Sequence, residues 1–314
     1  TPLYSSAASD VYKRQRPGIE ALFEVAGKDH RLATASDLGF IVGPRLNAAG
    51  RLDDMSVGIE CLLADSTASA RAKAENLHAL NRERRDIEQS MQTEALAQLD
   101  ALNLDQSDLP FAMTLYDPNW HQGVIGILAS RIRERVYRPT LIFADSEEGM
   151  LKASGRSIPG LHLRDALDQV AARHPGLLTK FGGHAMAAGL TLAKADFEPF
   201  CEAINTVVAD ALDHVPPEPV AMSDGSLAPS DLTVPFAEQL EAGGPWGQHF
   251  AEPIFDNTFA VRRHRIVGEK HLKLTLESGG VEVDAIAFNI DVDEWLAAPL
   301  TQLGALYLSL IHIS

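Results

Sequence analysis

The sequence predicts an α/β protein that ends in an all-β domain, and three observations predict it. Between residues 111 and 212, short apolar runs alternate with amphipathic helical patterns. A proline-rich stretch, HVPPEP, follows at 214–219. Beyond it the period changes: in HLKLTLE (271–277), Leu272, Leu274 and Leu276 share one side of a half-buried strand. A length of 314 residues, at about 150 per domain, gives two domains or three small ones.

Taken in order, residues 1–15 (TPLYSSAASDVYKRQ) and 308–314 (LSLIHIS) do not continue the neighbouring patterns and are read as non-native tails. Residues 16–63 form a first, helical segment, in which GIEALFEVAG runs to a capping Gly27. The second segment, 64–106, is one long helix from Thr67 to Leu99, with Ala74, Leu77, Leu80, Ile87 and Met91 at three- and four-residue steps. It would span about 50 Å at 1.5 Å per residue, and its many charges read as a solvated strut between domains. The α/β domain occupies 107–213, with strands at 111–116, 140–144 and 150–157. Its helices fall at 122–136, 163–173 and 196–212, and GGHAMAAGLTL (182–192) turns into a further strand. Short strands in 216–307 suggest a small barrel, of which the OB-fold is the commonest nucleic-acid-binding kind, incomplete after Ala305.

Composition narrows the function classes. Apolar residues at 46% and charged ones at 22% exclude a mostly disordered chain and a disulfide-stapled miniprotein. No apolar run approaches the roughly 20 residues of a membrane helix, so no membrane partner is expected. Cys61 and Cys201 lie in apolar helical contexts, which fits free thiols in a reducing cytoplasm. A formal net charge of −16 argues against coating nucleic acid through bulk charge. A locally basic channel stays open.

Four stretches carry chemistry. In GGH, Gly182 and Gly183 let a backbone approach an anion and His184 can donate to it; a tight turn with a satisfied histidine is the bland alternative. In SGRS, Ser154 and Ser157 flank Arg156, which can hold a phosphate bidentately, with Gly155 removing bulk beside it; a strand end with a surface arginine is the alternative. GPRLNAAGR offers Arg45, Asn47 and Arg51 on a glycine-bounded segment, against capping and an ion pair to Asp53 or Asp54. The last domain offers Arg262, Arg263, His264, Arg265, Lys270, His271 and Lys273 near Phe255, Phe259 and Phe288. There the basic cluster is the signal and the phenylalanines read mostly as core. For metal ligands the pattern predicts none: Asp29-His30 and Asp291-x-Asp293 read as solvated polar residues.

Together, RPGIEALFEVA, ASDLGFIVGPRLNAAGRLDDMSVGIECLL, WHQGVIGILASRIRERVYRP, SGRSIPGLHLRDAL, FGGHAMAAGLTL and GPWGQHFAEPIF resemble the RecJ family of bacterial exonucleases, within the DHH phosphoesterase superfamily. The resemblance covers Arg16 to Trp295. It implies that 16–63 is the C-terminal end of a DHH catalytic domain, 64–106 its connecting helix, 107–213 a DHH-associated domain and 216–307 an OB-fold. The implied activity is 5′→3′ hydrolysis of single-stranded DNA in repair and recombination, with Mn²⁺ or Mg²⁺ as cofactor. Implied roles are a catalytic His184 and phosphate contacts at Ser154, Arg156, Ser157, Gly182 and Gly183. Arg45, Asn47 and Arg51 would line the opposite side of the cleft, with His121 a weaker candidate. Single-stranded DNA is the implied partner, with single-strand-binding protein a second candidate and a monomer the expected state. The family's aspartate-rich motifs would precede the matched region, so this chain is expected to lack the metal ligands and not to hydrolyse DNA alone. The alternatives are a non-catalytic single-strand-binding module, or another DHH phosphodiesterase acting on short RNA or cyclic dinucleotides.

Overall fold

A computed structural model describes residues 16–101, 109–147, 149–220, 222–244, 246, 250–268, 271–288 and 290, with the backbone of 303–308. The chain divides into two compact units, 1–219 and 220–314.

The first unit opens with short helices. Helix α1 (Pro17–Glu24) starts on a proline, whose fixed φ and missing N–H suit a helix start, and buries Ala21, Leu22 and Phe23. Thr34 and Asp37 cap α2 (Ala35–Asp37) reciprocally: the Thr34 N–H donates to Asp37 Oδ2 at 2.8 Å, and the Asp37 N–H to Thr34 Oγ1 at 3.3 Å. A wide helical turn, Leu38–Val42, leads into α3 (Gly43–Leu52), and α4 (Ser56–Leu62) follows. The GPRLNAAGR stretch is therefore helical throughout.

Helix α5 (Thr67–Ala101) is not a solvated strut. Its first half adds Ala70, Ala74 and Leu77 to a core shared with α1, α3 and α4. Its second half adds Met91 and Ala95 to a different core, beneath the α/β sheet. The charged residues occupy the rest of its circumference, while one apolar stripe runs through both cores.

The sheet has the order β1-β2-β3-β5-β4, from β1 (Met113–Tyr116), β2 (Thr140–Asp145), β3 (Met150–Arg156), β4 (Lys180–Gly183) and β5 (Ala187–Ala193). Only β1 and β2 pair in parallel, joined through α6 (Ile125–Val136); the other neighbours are antiparallel. Alternation along β2 sends Ile142 and Ala144 towards α6 and α5, and Leu141 and Phe143 towards α7 (Leu163–Arg173) and α8 (Phe197–Ala211). Helices thus cover both faces. Cys61 is buried and Cys201 half-buried, and both are free thiols; burial pushes the Cys201 thiol up to about 11.

In the second unit, α9 (Val234–Gly243) precedes β6 (Phe255–Val267), β7 (His271–Ser278), β8 (Val281–Ala287) and β9 (Leu303–Leu308). They form an antiparallel sheet in the order β8-β7-β6-β9, with Leu272, Leu274, Leu276 and Phe259 in its core. Strand β9 continues past Ala305, and Leu308 pairs with Phe255 although the sequence pattern put it in a tail. No described helix is long and apolar enough to cross a membrane.

If α5 couples the two cores, Leu77→Ala and Met91→Ala should each cost about 3 kcal/mol. Each should also shift one shared urea transition of the first unit. Separate transitions for the two variants would show the helix to be a passive connector. At pH 8, Cys201 should react with a disulfide reagent far more slowly than free cysteine, since the thiolate is the reactive form.

Candidate phosphate-binding cleft

Strand β3 supplies the floor of the site. Its alternation puts Leu151, Ala153 and Gly155 in or against the core, and Lys152, Ser154 and Arg156 on the other face. Gly155 therefore does not clear space beside Arg156, as the sequence suggested. It faces the core, where a Cβ would stand 2.8 Å from Leu163 Cδ2. Arg156 folds back along the strand, its Nη1 donating to Ser154 Oγ at 3.1 Å and to the Gly155 carbonyl at 2.8 Å. The first turn of α6 lies against it. A Cβ on Gly126 would come within 3.0 Å of Ser154 Oγ and 3.1 Å of Arg156 Nη2, so glycine here gives the guanidinium its room.

Arg51, in the last turn of α3, reaches the same place. Its Nη1 donates to the Gly123 carbonyl at 2.9 Å, and its own carbonyl packs against Gly123 so closely that a side chain there would collide. The 120–123 loop is fixed from below: Trp120 is buried and its indole N–H donates to Glu94 of α5 at 2.9 Å. His121 Nδ1 accepts from the Gly123 N–H at 3.1 Å, and Gln122 donates to the Asp145 carbonyl at 2.8 Å.

Beside β3 in the same sheet, β5 and β4 form a hairpin in which Gly182 pairs with Gly189 and Gly183 with Ala188. Gly183 has φ +144°, and a Cβ on it would meet Ala187 and Ala188 backbone atoms at 2.5 Å. The His184 N–H closes the turn on the Ala187 carbonyl at 2.8 Å. The His184 side chain is exposed and has no hydrogen-bonding or ion-pair partner among the described residues.

Arg51, Lys152, Ser154, Arg156 and Gly183 line one open cleft of about 350 Å³. A second hollow of about 590 Å³, which His121 and Asp145 also line, shares Arg51, Gln122, Gly123 and Lys152 with it. Among the described residues, Arg51, Lys152 and Arg156 have no carboxylate partner. Burial, with the charges of Arg51 and Arg133 close by, holds the Arg156 guanidinium below its ordinary value. Asp145 is already engaged: the Tyr116 hydroxyl at 2.7 Å, with Lys194 at 3.2 Å, keeps its carboxyl below the usual range. The start of α6 adds the positive end of its dipole. An anion with several oxygens fits this arrangement.

Not every candidate residue is there. Ser157 is fully buried, its hydroxyl donating to the Leu161 carbonyl at 2.8 Å, so it is no phosphate donor. Arg45 is buried at the α3–α5 contact, bonded to the Ile41 carbonyl and to His78. Asn47 is exposed on α3 and does not line the cleft. Lys152, Gln122 and Gly126 were missed, although Lys152 was legible from the two-residue step it shares with Ser154 and Arg156.

In the second unit the basic cluster is largely neutralised. Arg262 pairs with Glu277 at 3.1 Å, Arg263 with Glu282 at 4.0 Å and Lys273 with Asp284 at 3.0 Å. Arg265 has no carboxylate partner among the described residues, and Lys270 lies outside them. Phe259 is core, Phe255 packs on Phe236, and Phe288 is exposed with its ring edge-on to His271. Among the described residues no three His, Cys, Asp or Glu side chains gather as a metal site. Asp29 is taken by Arg31, whose hydrogen bonds hold its carboxyl down to about 2. Asp291 and Asp293 lie outside the described residues.

Residues 109–210 match the DHHA1 domain and residues 223–306 the RecJ OB domain. The chain is 53% identical over 282 residues to the single-stranded-DNA-specific exonuclease RecJ of Dickeya dadantii, covering 89% of this chain and 49% of that protein. It is 51% identical to the protein of that name from Escherichia coli, with the same coverage. The chain thus spans about half the length of the curated relatives it matches. A crystal structure of Thermus thermophilus RecJ in complex with Mn²⁺ matches at 31% identity with a TM-score of 0.72, over 90% of this chain and 40% of that one. A structure of exonuclease RecJ bound to manganese matches at 33% identity with a TM-score of 0.52, over 64% of this chain and 48% of that one. The chain is similar to RecJ proteins over nearly its whole length and carries a DHHA1 domain followed by a RecJ OB domain.

Proposed function

We propose that this chain is the substrate-gripping part of a single-strand-specific 5′→3′ DNA exonuclease. The observation that carries the reading is the cleft in which Arg51, Ser154, Arg156 and Gly183 converge with no acid to neutralise the two guanidiniums. Arg156 and Arg51 would take phosphodiester oxygens by charge-assisted hydrogen bonds. Ser154 and Lys152 would add donors along the strand. His184, exposed beside Gly183, would meet the backbone near the scissile bond. Residues 16–63 would then be the end of the catalytic domain, with Arg51 as its contribution to the cleft.

The reading implies Mn²⁺ or Mg²⁺ in the complete enzyme. The described residues bring no three metal-ligating side chains together. They do not fit a two-ion site, and no hydrolytic step is assigned to them. The same reading makes the chain a cytoplasmic monomer that works in DNA repair and recombination, on strands that single-strand-binding protein also occupies.

The full 314-residue chain should therefore bind 5′-phosphorylated single strands in preference to duplex. Arg51→Ala and Arg156→Ala should each weaken that binding by on the order of tenfold, and Ser154→Ala by less. Gly126→Val, which crowds Arg156 without removing it, should weaken binding as well. In an assay with Mn²⁺ and 5′-labelled single strands the chain should release no nucleotides. Metal-dependent turnover, or binding indifferent to both arginines, would overturn the proposal.

A further inference from the structure

We propose that the face of α5 bearing His78, Arg82 and Arg85, backed by Arg45 of α3, is a second phosphate-backbone subsite, holding the part of a single strand that lies beyond the Arg51–Arg156 cleft. This rests on the reading of that cleft as a single-strand site and extends it along the helix.

Residues 78, 82 and 85 are spaced i, i+4 and i+7, which places them on one stripe of the helix. Arg82 and Arg85 are exposed and have no carboxylate partner among the described residues. Other basic residues of α5 are satisfied: Arg71 pairs with Glu75 at 3.0 Å, Lys73 with Glu60 at 2.6 Å and Arg84 with Glu88 at 2.7 Å. Asp86 stands four residues after Arg82 and makes no ion pair with it. The stripe is therefore set apart from the mixed-charge surface that a helix of this composition ordinarily shows.

Beneath it lies an unusual support. Arg45 is only 6% exposed, yet its Nε and Nη2 face His78 Nδ1 at 3.2 and 3.1 Å, and its Nη1 donates to the Ile41 carbonyl at 2.7 Å. A buried cation is ordinarily paired with an acid, because desolvating an uncompensated charge is costly. A neutral imidazole satisfies the hydrogen bonds and leaves the charge in place. Burial, together with the charges of Arg45, Arg82 and Arg85, keeps His78 on its neutral side. The positive potential under the stripe is thus retained rather than cancelled.

The stripe and the cleft also share charged neighbours, with Arg84, itself paired to Glu88, lying between them. The charge of Arg85 acts on both Arg45 and Arg84, and that of Arg51 on both Arg84 and Arg156. Arg45 and Arg51 are six residues apart on α3, about 9 Å along the helix axis. That distance is comparable with a few phosphates at a rise of roughly 3.4 Å per nucleotide. A single flexible polyanion can bridge such a path, and an isolated phosphate cannot.

The test uses the full chain with fluorescent, 5′-phosphorylated oligothymidylates of about 15 and about 3 nucleotides, the longer within the range of footprints of single-strand binders. Arg82→Ala/Arg85→Ala should weaken the long strand on the order of tenfold and lower the slope of log K against log salt by about 1.4, two phosphate contacts at 0.7 each. Binding of the short strand should not change. Arg82→Lys/Arg85→Lys should restore most of the slope, and a far-UV spectrum and melting curve should show both variants folded. Unchanged binding of the long strand, or equal loss for both lengths, overturns the subsite. Arg51→Ala/Arg156→Ala is the independent control: if it leaves the short strand bound as before, the cleft reading fails, whatever the stripe does.

Discussion

Two guanidinium groups held near each other without a carboxylate between them are the constraint on which the rest of the first unit depends. Arg51 and Arg156 come from segments about a hundred residues apart, one helical and one a strand. Like charges brought together and partly desolvated oppose folding, so each must be positioned by neutral groups. Carbonyls and a hydroxyl do this here: Gly123 O for Arg51, and Gly155 O with Ser154 Oγ for Arg156. Gly123 and Gly126 are glycine because the backbone of Arg51 and the guanidinium of Arg156 occupy the space a Cβ would need. Trp120, pinned to Glu94, fixes the height of the loop between them. The cleft is then complementary to an anion before any anion arrives, which limits the ordering cost of binding.

Much of the α/β domain was legible because its two periods differ. Apolar β-runs at 140–144 and 150–157 and the helical stripe at 163–173 fall close to the observed elements, since the core imposes two-residue and 3.6-residue steps on them. The site was legible as motifs and less so as side chains. SGRS marked the right strand, but pleating divides its members: Ser154 and Arg156 face the cleft, Gly155 faces the core, and Ser157 turns inward to bond Leu161 O. Carrying the two-residue alternation of that strand through the motif would have excluded Ser157 and added Lys152. Arg45 could not be placed from sequence, because its partner His78 is 33 residues away on another helix.

The long helix carries a related lesson. Charge density made it look solvated, yet Ala70, Ala74 and Leu77 serve one core while Met91 and Ala95 serve the next. Small residues at the contacts let neighbouring helices approach closely, so a narrow stripe suffices, and hydrophobic content averaged over the whole segment hides it. Arg51 lies on α3, which packs directly on α5, and Arg156 on β3, which packs on α6, and α6 in turn packs on α5, so the rigidity of that helix bears on how well the two cations stay aligned. Helix stability and anion affinity are thereby linked through the same apolar stripe.

Charge is distributed to the same end. The chain carries a net −16, and in the second unit Arg262, Arg263 and Lys273 each sit across the sheet from an acid. Cations paired in this way gain little by exchanging their acid for a phosphate, since the acid is then left to be solvated alone. Cations without such partners lose nothing on binding and release the counterions that a single strand carries. In the cleft, Arg51, Lys152 and Arg156 are left without such partners and so are available to an anion. For such a protein the overall acidity and the local basic cleft work together, because discrimination grows from the contrast between them.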